Sequence, residues 1–343
     1  MNKIEINNKL KRCFIIAEAG VNHNGSVEIA KKLVDAAKEV GADAVKFQTF
    51  KAEKLVTKDA DKAEYQIKNS GEESQYDMIK NLELSDDEFR EIVKYTTQKG
   101  LIFLSSPFEE ESAYLLDKIG IPAFKIASGE ITNFPLLKYI AKKQKQIILS
   151  TGMSTLGEVE EAINIIKKYN DNIILMHCLT SYPAKKENTN LNVIKTLEYA
   201  FKLPVGFSDH TEGIEMPIAA VAMGSCCIEK HFTIDKNLPG PDHKASLEPH
   251  EFAEMIKCIR NVEKGLGNGI KKPTNEEIEI KKLVRKSIVA KEDILKGTIL
   301  DENMLDIKRP GTGIEPKYLN DVIGKELTED IKKDALIKWN QLK

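Results

Sequence analysis

Two stretches decide the fold: Val205-Gly-Phe-Ser-Asp-His210 and Cys227-Ile-Glu-Lys-His231. Each is a short apolar run that ends in a histidine. Read as buried parallel strands, they put both imidazoles just past a carboxyl end, where a divalent metal can join neighbouring strands. Outward from this pair, short apolar runs alternate with amphipathic segments between residues 14 and 267, the pattern of repeated βα units. The spacing predicts strands at 14–19, 44–49, 102–107, 123–128, 147–151, 173–179, 205–208 and 226–232. Eight strands recurring roughly every 30 residues favour a closed (β/α)8 TIM barrel over an open doubly wound sheet.

Helices fill the intervals. Ser26 is placed to cap a helix from Val27 to Val40, with Ile29, Leu33, Ala36 and Val40 on one face and Gly41 ending it. Further helices are predicted at 86–99, 109–119, 135–143, 157–168, 191–201, 215–223 and 249–266. The connection 50–85 is unusually long, and such an excursion on the catalytic face of a barrel is expected to border the site.

The 343 residues suit one barrel plus a smaller module, with 41% hydrophobic residues to form the core. Fifty-one basic and 53 acidic residues leave a formal charge of −2, which argues against nonspecific nucleic-acid binding. The mixed-charge N-terminus lacks a signal peptide's apolar stretch, and no run reaches membrane-spanning length. Five cysteines without metal-finger spacing read as reduced core residues, so a cytoplasmic protein is expected.

Gly265-Leu-Gly-Asn-Gly269 follows a helix instead of joining a strand to one, which rules out a dinucleotide-binding turn. The reading is a barrel over 1–267, a polar linker over 268–284 and a small β-rich module over 285–343. The module has too little core for a free domain and is expected to pack against a barrel.

Polar residues gather where the predicted strands end, as active-site residues of such a barrel do. Lys46 and Gln48 share one face of the second strand, and Lys125 lies on the fourth. A buried lysine is costly without an anion, although one alone pairs as readily with a structural carboxylate such as Glu18. Two lysines beside Ser106, Ser128 and Ser150 describe a phosphate and carboxylate site instead.

His210 and His231 are the candidate metal ligands, with Glu18 or Asp209 able to add an oxygen. Lys230, opposite in parity to His231, is expected to face the helices or the rim. His177 reads as structural, while His243 and His250 read as solvent-exposed. Glu130, directly after Gly129, suits proton transfer, or else is a loop carboxylate that positions a backbone group.

The motifs Glu18-Ala-Gly-Val-Asn-His-Asn-Gly25, Lys46-Phe-Gln48, Lys125-Ile-Ala-Ser-Gly-Glu130, Ser150-Thr-Gly-Met153, Ser208-Asp-His-Thr211, Glu229-Lys-His-Phe232 and Gly240-Pro-Asp-His-Lys-Ala-Ser246 closely resemble the bacterial N-acetylneuraminate (sialic acid) synthase family, which includes legionaminic acid synthases. Lys308-Arg-Pro-Gly-Thr-Gly-Ile314 resembles that family's C-terminal antifreeze-like (SAF) domain. The resemblance covers nearly the whole chain. It implies condensation of phosphoenolpyruvate with an N-acetylated hexosamine and water to a nonulosonic acid and phosphate.

By resemblance, Lys46, Gln48, Ser106, Lys125, Ser128, Ser150 and Ser208 bind phosphoenolpyruvate, and Glu18 and Glu130 act as acid and base. His210 and His231 hold a divalent metal, manganese first with magnesium or cobalt as alternatives. Tyr182, Asp242 and Arg309 contact the sugar. In the family this arginine reaches from one subunit's C-terminal domain into its partner's barrel, which implies a domain-swapped homodimer.

Two places depart from the N-acetylmannosamine-using members: His177-Cys-Leu-Thr-Ser-Tyr182 lacks their Thr-Asn, and Val284-Arg-Lys-Ser287 lacks their aromatic residues. Both border the sugar. N-acetylmannosamine and 2,4-diacetamido-2,4,6-trideoxymannose therefore both stay open as acceptors. The competing readings are another phosphoenolpyruvate-dependent keto-acid synthase acting on a sugar phosphate, which requires a second basic cluster, and a nonenzymatic sugar-binding or scaffold barrel.

Overall fold

The computed structural model describes residues 12–62, 67 and 74–343. It divides into one unit ending at Gly267 and another from Asn268 to Lys343. The first contains eight strands: β1 (Phe14–Gly20), β2 (Ala44–Thr49), β3 (Ile102–Pro107), β4 (Ala123–Ile126), β5 (Gln146–Ser150), β6 (Ile173–Cys178), β7 (Val205–Asp209) and β8 (Cys227–His231). Their order is β3-β2-β1-β8-β7-β6-β5-β4, all ladders are parallel, and β3 adjoins β4. This is the predicted TIM barrel.

Alternation along each strand sorts side chains between two cores. Ile15, Val45, Phe103, Phe124, Phe207 and Ile228 point outward to the helices, while Ile16, Ala44, Leu104, Ala123, Ile148, Met176 and Cys227 fill the lower interior. Gly206 is required here because a Cβ would collide with Cys227 Sγ and Met176 Sδ. Two residues further along, the same inward row becomes polar.

Ser26 does cap the helix Val27–Glu39, accepting from Ile29 N at 3.3 Å, but the fully buried face is Ala30, Leu33, Val34 and Ala37. Ile29, Ala36 and Val40 pack at its margin. The long connection after β2 contains two described helices, Ala52–Leu55 and Gln75–Leu82. Phe50, Met78, Leu82 and Val21 form a small apolar cluster with Leu55, Ile79 and Phe108 against it.

The second unit begins with a stretch read as linker, which contains the helix Asn275–Val284. Thr274 and Glu277 form a capping box at its start, a signal visible in the sequence. β9 (Ser287–Ala290) and β10 (Leu305–Lys308) then pair antiparallel over a core that includes Ile288, Leu300, Ile314, Leu327 and Ile337.

Candidate active site

The inward row at the carboxyl ends of the strands lines a cavity of about 320 Å³. Register builds its floor: Glu18 on β1 is level with Lys46 on β2 and His231 on β8, and Ser208 on β7 is level with Glu229 on β8. Lys46 Nζ lies 2.8 Å from Glu18 Oε1 and 3.9 Å from Glu229 Oε1, and donates to Ser106 Oγ at 3.2 Å. Lys125 Nζ donates to Ser150 Oγ at 2.7 Å and lies 3.4 Å from Glu229 Oε1. Ser208 Oγ donates to Glu229 Oε1 at 3.2 Å.

Both lysines and both glutamates are buried, so their charges are set by one another. Burial raises the Glu18 pKa to about 7, Lys46 opposing and Glu229 adding to the rise. Burial also works against an ionised Glu229, but Lys125 and Lys46 outweigh it and hold this carboxyl below its ordinary value. The Lys46 pKa is raised: Glu18 and Glu229 overcome its burial. Protonation of Glu18 removes a negative charge that faces Lys46, and with the Ser106, Ser150 and Ser208 hydroxyls beside the two lysines the floor suits a small polyanion.

At the rim of the same cavity His210 and His231 have ring centroids 5.3 Å apart, and the Tyr182 ring lies 4.2 Å from the first and 5.5 Å from the second. Burial brings the His210 pKa down to about 4 and lowers that of His231 well below its ordinary value, so both rings are neutral. His210 Nδ1 bonds to the Leu179 carbonyl, which leaves Nε2 as the lone-pair nitrogen, 3.4 Å from Ser208 Oγ. His231 Nδ1 is buried without a hydrogen-bond partner, 3.9 Å from Asp242 Oδ2. Two neutral imidazoles that both line the cavity fit a divalent cation. Among the described residues no group of three or more His, Cys, Asp or Glu is arranged to hold one, so water or substrate oxygens would complete the shell.

The cavity thus gathers Glu18, Lys46, Gln48, Ser106, Lys125, Ser128, Ser150, Tyr182, Ser208, His210, His231 and Asp242 from the sequence-based candidates. Burial raises the Asp242 pKa to about 6 against the pull of Lys46. Glu130 does not join them. The chain leaves β4 through a tight turn, Ser128–Glu130, and the half-buried Glu130 carboxylate accepts from Asn133 Nδ2 at 2.7 Å away from the lining. Arg309 belongs to the second unit, exposed directly after β10.

Two further expectations change. Asp209 is no ligand: parity turns it to the outer face, where Lys230 Nζ lies 2.5 Å from its Oδ2 and also donates to the Thr211 carbonyl. His243 is fully buried, not exposed, and burial lowers its pKa to about 4. Glu229 was overlooked as a site residue although it shares the inward parity of His231. The apolar side of the cavity, Val21, Phe50, Leu55, Met78, Ile79, Leu82 and Phe108, also had no individual residues assigned in advance.

Comparison with known proteins gives the site a context. The NeuB family profile matches residues 33–271 and the SAF domain profile residues 285–343. The N,N'-diacetyllegionaminic acid synthase of Campylobacter jejuni is 50% identical over 333 residues, 96% of this chain and 100% of that protein. The enzyme of the same name from Legionella pneumophila is 47% identical over 348 residues, covering 100% of this chain and 98% of its own. Among solved structures, the N-acetylneuraminic acid (sialic acid) synthetase of Leptospira borgpetersenii, in complex with citrate, superposes with a TM-score of 0.72 at 36% identity, over 79% of this chain and 91% of that one.

Proposed function

The chain belongs to the NeuB family of synthases that condense phosphoenolpyruvate with an N-acetylated hexosamine and water to a nonulosonic acid and phosphate, and from that premise we propose that its acceptor is 2,4-diacetamido-2,4,6-trideoxymannose. The product is then N,N'-diacetyllegionaminic acid. The observation that carries this choice is the mixed lining of the cavity, which joins a charged floor to an apolar cluster of Phe50, Leu55, Met78, Ile79 and Leu82. A sugar with a methyl group at C6 and a second acetamido group offers apolar surface to such a wall. N-acetylmannosamine would leave hydroxyls there without partners.

Lys46 and Lys125 bind the phosphate and carboxylate of phosphoenolpyruvate, assisted by Gln48 and the hydroxyls of Ser106, Ser128, Ser150 and Ser208. The pyruvyl C3 attacks the open-chain aldehyde, water adds at C2, and phosphate leaves with cleavage of its C–O bond. Glu18, with a pKa of about 7, gives its proton to the developing alkoxide, and its carboxylate then takes one from the water that adds at C2. A divalent cation held by His210 and His231, manganese in preference to magnesium or cobalt, supplies Lewis-acid polarisation of the aldehyde when bound. Tyr182 and Asp242 orient the sugar beside the two imidazoles.

The working unit in this reading is a domain-swapped homodimer in which Arg309 of the partner subunit contacts an N-acetyl group. Exposure of Arg309 and the exposed apolar Ile278, Ile280 and Leu283 of the helix Asn275–Val284 support it. All five cysteines are free, which suits the reducing cytoplasm.

Phosphate release tests the reaction class. Turnover is expected with phosphoenolpyruvate and an N-acetylated hexosamine but not with arabinose 5-phosphate. Turnover with the sugar phosphate alone would overturn the reading. The only lysines lining the cavity among the described residues, Lys46 and Lys125, are already committed to the floor.

A further inference from the structure

The turn Asn22-His-Asn-Gly25 that follows β1 does not line the cavity, yet it is tied to two segments that do. On one side it holds the loop after β8. Asn22 Nδ2 donates to the Phe232 carbonyl at 2.9 Å and to Ser246 Oγ at 3.0 Å, and Ser246 Oγ donates in turn to the Asp242 carbonyl at 2.7 Å. Asn24 Nδ2 donates to the Pro239 carbonyl at 2.7 Å and lies 3.1 Å from His243 Nε2. With the His243 proton on Nδ1, that atom donates to Thr233 Oγ1 at 2.7 Å, and the Thr233 hydroxyl donates to the Asp235 carbonyl at 3.1 Å. Each donor in the two relays meets an acceptor, and the relays grip the chain on both sides of Asp242.

On its other side the turn receives a helix end. Gly25 has φ 71°, and a Cβ there would stand 2.6 Å from the Asn81 carbonyl oxygen, so the last turn of the helix Gln75–Leu82 can seat only on a glycine. That helix presents Met78 and Leu82 to the cavity.

We propose that the Asn22–Gly25 turn is a positioning element for the acceptor end: it fixes Asp242 and the apolar wall relative to each other without touching either substrate. The inference rests on the acceptor reading given above. Asn24 and His243 are its central positioning residues.

Steady-state kinetics on the full-length enzyme, with N-acetylmannosamine and the diacetamido sugar as probes, tests it. Asn24→Ala and His243→Ala should each raise the acceptor KM about 10-fold while the phosphoenolpyruvate KM stays within about two-fold. The double variant should be less than multiplicative, because both singles break the shared Asn24–His243 contact. Asn24→Asp, nearly isosteric but without the donor, should reproduce the effect if the alanine variants do not fold. A parallel rise in both KM values, no rise in either, or fully multiplicative singles would overturn the proposal. Asp242→Ala separates the two levels: an unchanged acceptor KM in that variant refutes the acceptor reading. A raised KM there with unchanged Asn24 variants refutes only the positioning role.

Discussion

The floor of the cavity, with Lys46, Lys125 and Glu229, rises from strands in which every second residue is committed to the barrel interior, whereas the wall with Phe50, Leu55, Met78 and Leu82 comes from the excursion between β2 and β3. A strand residue cannot shift without moving its whole register, so the floor holds fixed charges at fixed separations. The excursion can change its side chains without disturbing the sheet. In the proposed reading, the strands serve the common chemistry of phosphoenolpyruvate and the excursion serves the choice of acceptor.

The sharpest way to break that division is to remove charge from the floor. Lys125→Met should lower kcat/KM about 10²–10³-fold with every acceptor alike, because the lost ammonium serves the shared substrate. Steady-state assays with two acceptors check this, and a loss confined to one acceptor would merge floor and wall into a single device.

Behind the floor the expected effect is on stability and not on the rate. Lys230 and Asp209 form a buried ion pair on the outer face of β7 and β8, one residue away from each of the paired histidines. Lys230→Met leaves the Asp209 carboxylate buried and unpaired and should cost about 3–5 kcal/mol of stability by denaturant titration. Adding Asp209→Leu should recover part of that loss. No recovery would mean that the pair's partners outside this contact dominate.

Much of this architecture could be read in the chain. The predicted β2 and β3 match the observed strands at both ends, and Gly41 and Gly100 stand shortly before them. Period-two parity also placed Lys46 and Gln48 together and turned Lys230 away from His231. The same parity puts Glu229 on the inner face, level with Ser208. Parity likewise excludes Asp209 as a ligand, since His210 next to it points inward.

Other features depend on contacts that local pattern does not encode. His243 appears in a polar loop, and its burial arises from Asn24, 219 positions away. Glu130 stands directly after a strand, but its side-chain direction is set by the short turn Ser128–Glu130 and by Asn133. The apolar wall is invisible until Phe50, Phe108 and the helix Gln75–Leu82 are folded together.

The most direct measurement is the ratio of kcat/KM for 2,4-diacetamido-2,4,6-trideoxymannose over N-acetylmannosamine, in the wild type and in Met78→Gln, at fixed phosphoenolpyruvate. The wild type should prefer the diacetamido sugar by at least about 10-fold, and the polar substitution in the wall should narrow that ratio while leaving the phosphoenolpyruvate KM unchanged. A wild-type preference for N-acetylmannosamine, or a ratio indifferent to Met78, would contradict the assignment of acceptor choice to the wall.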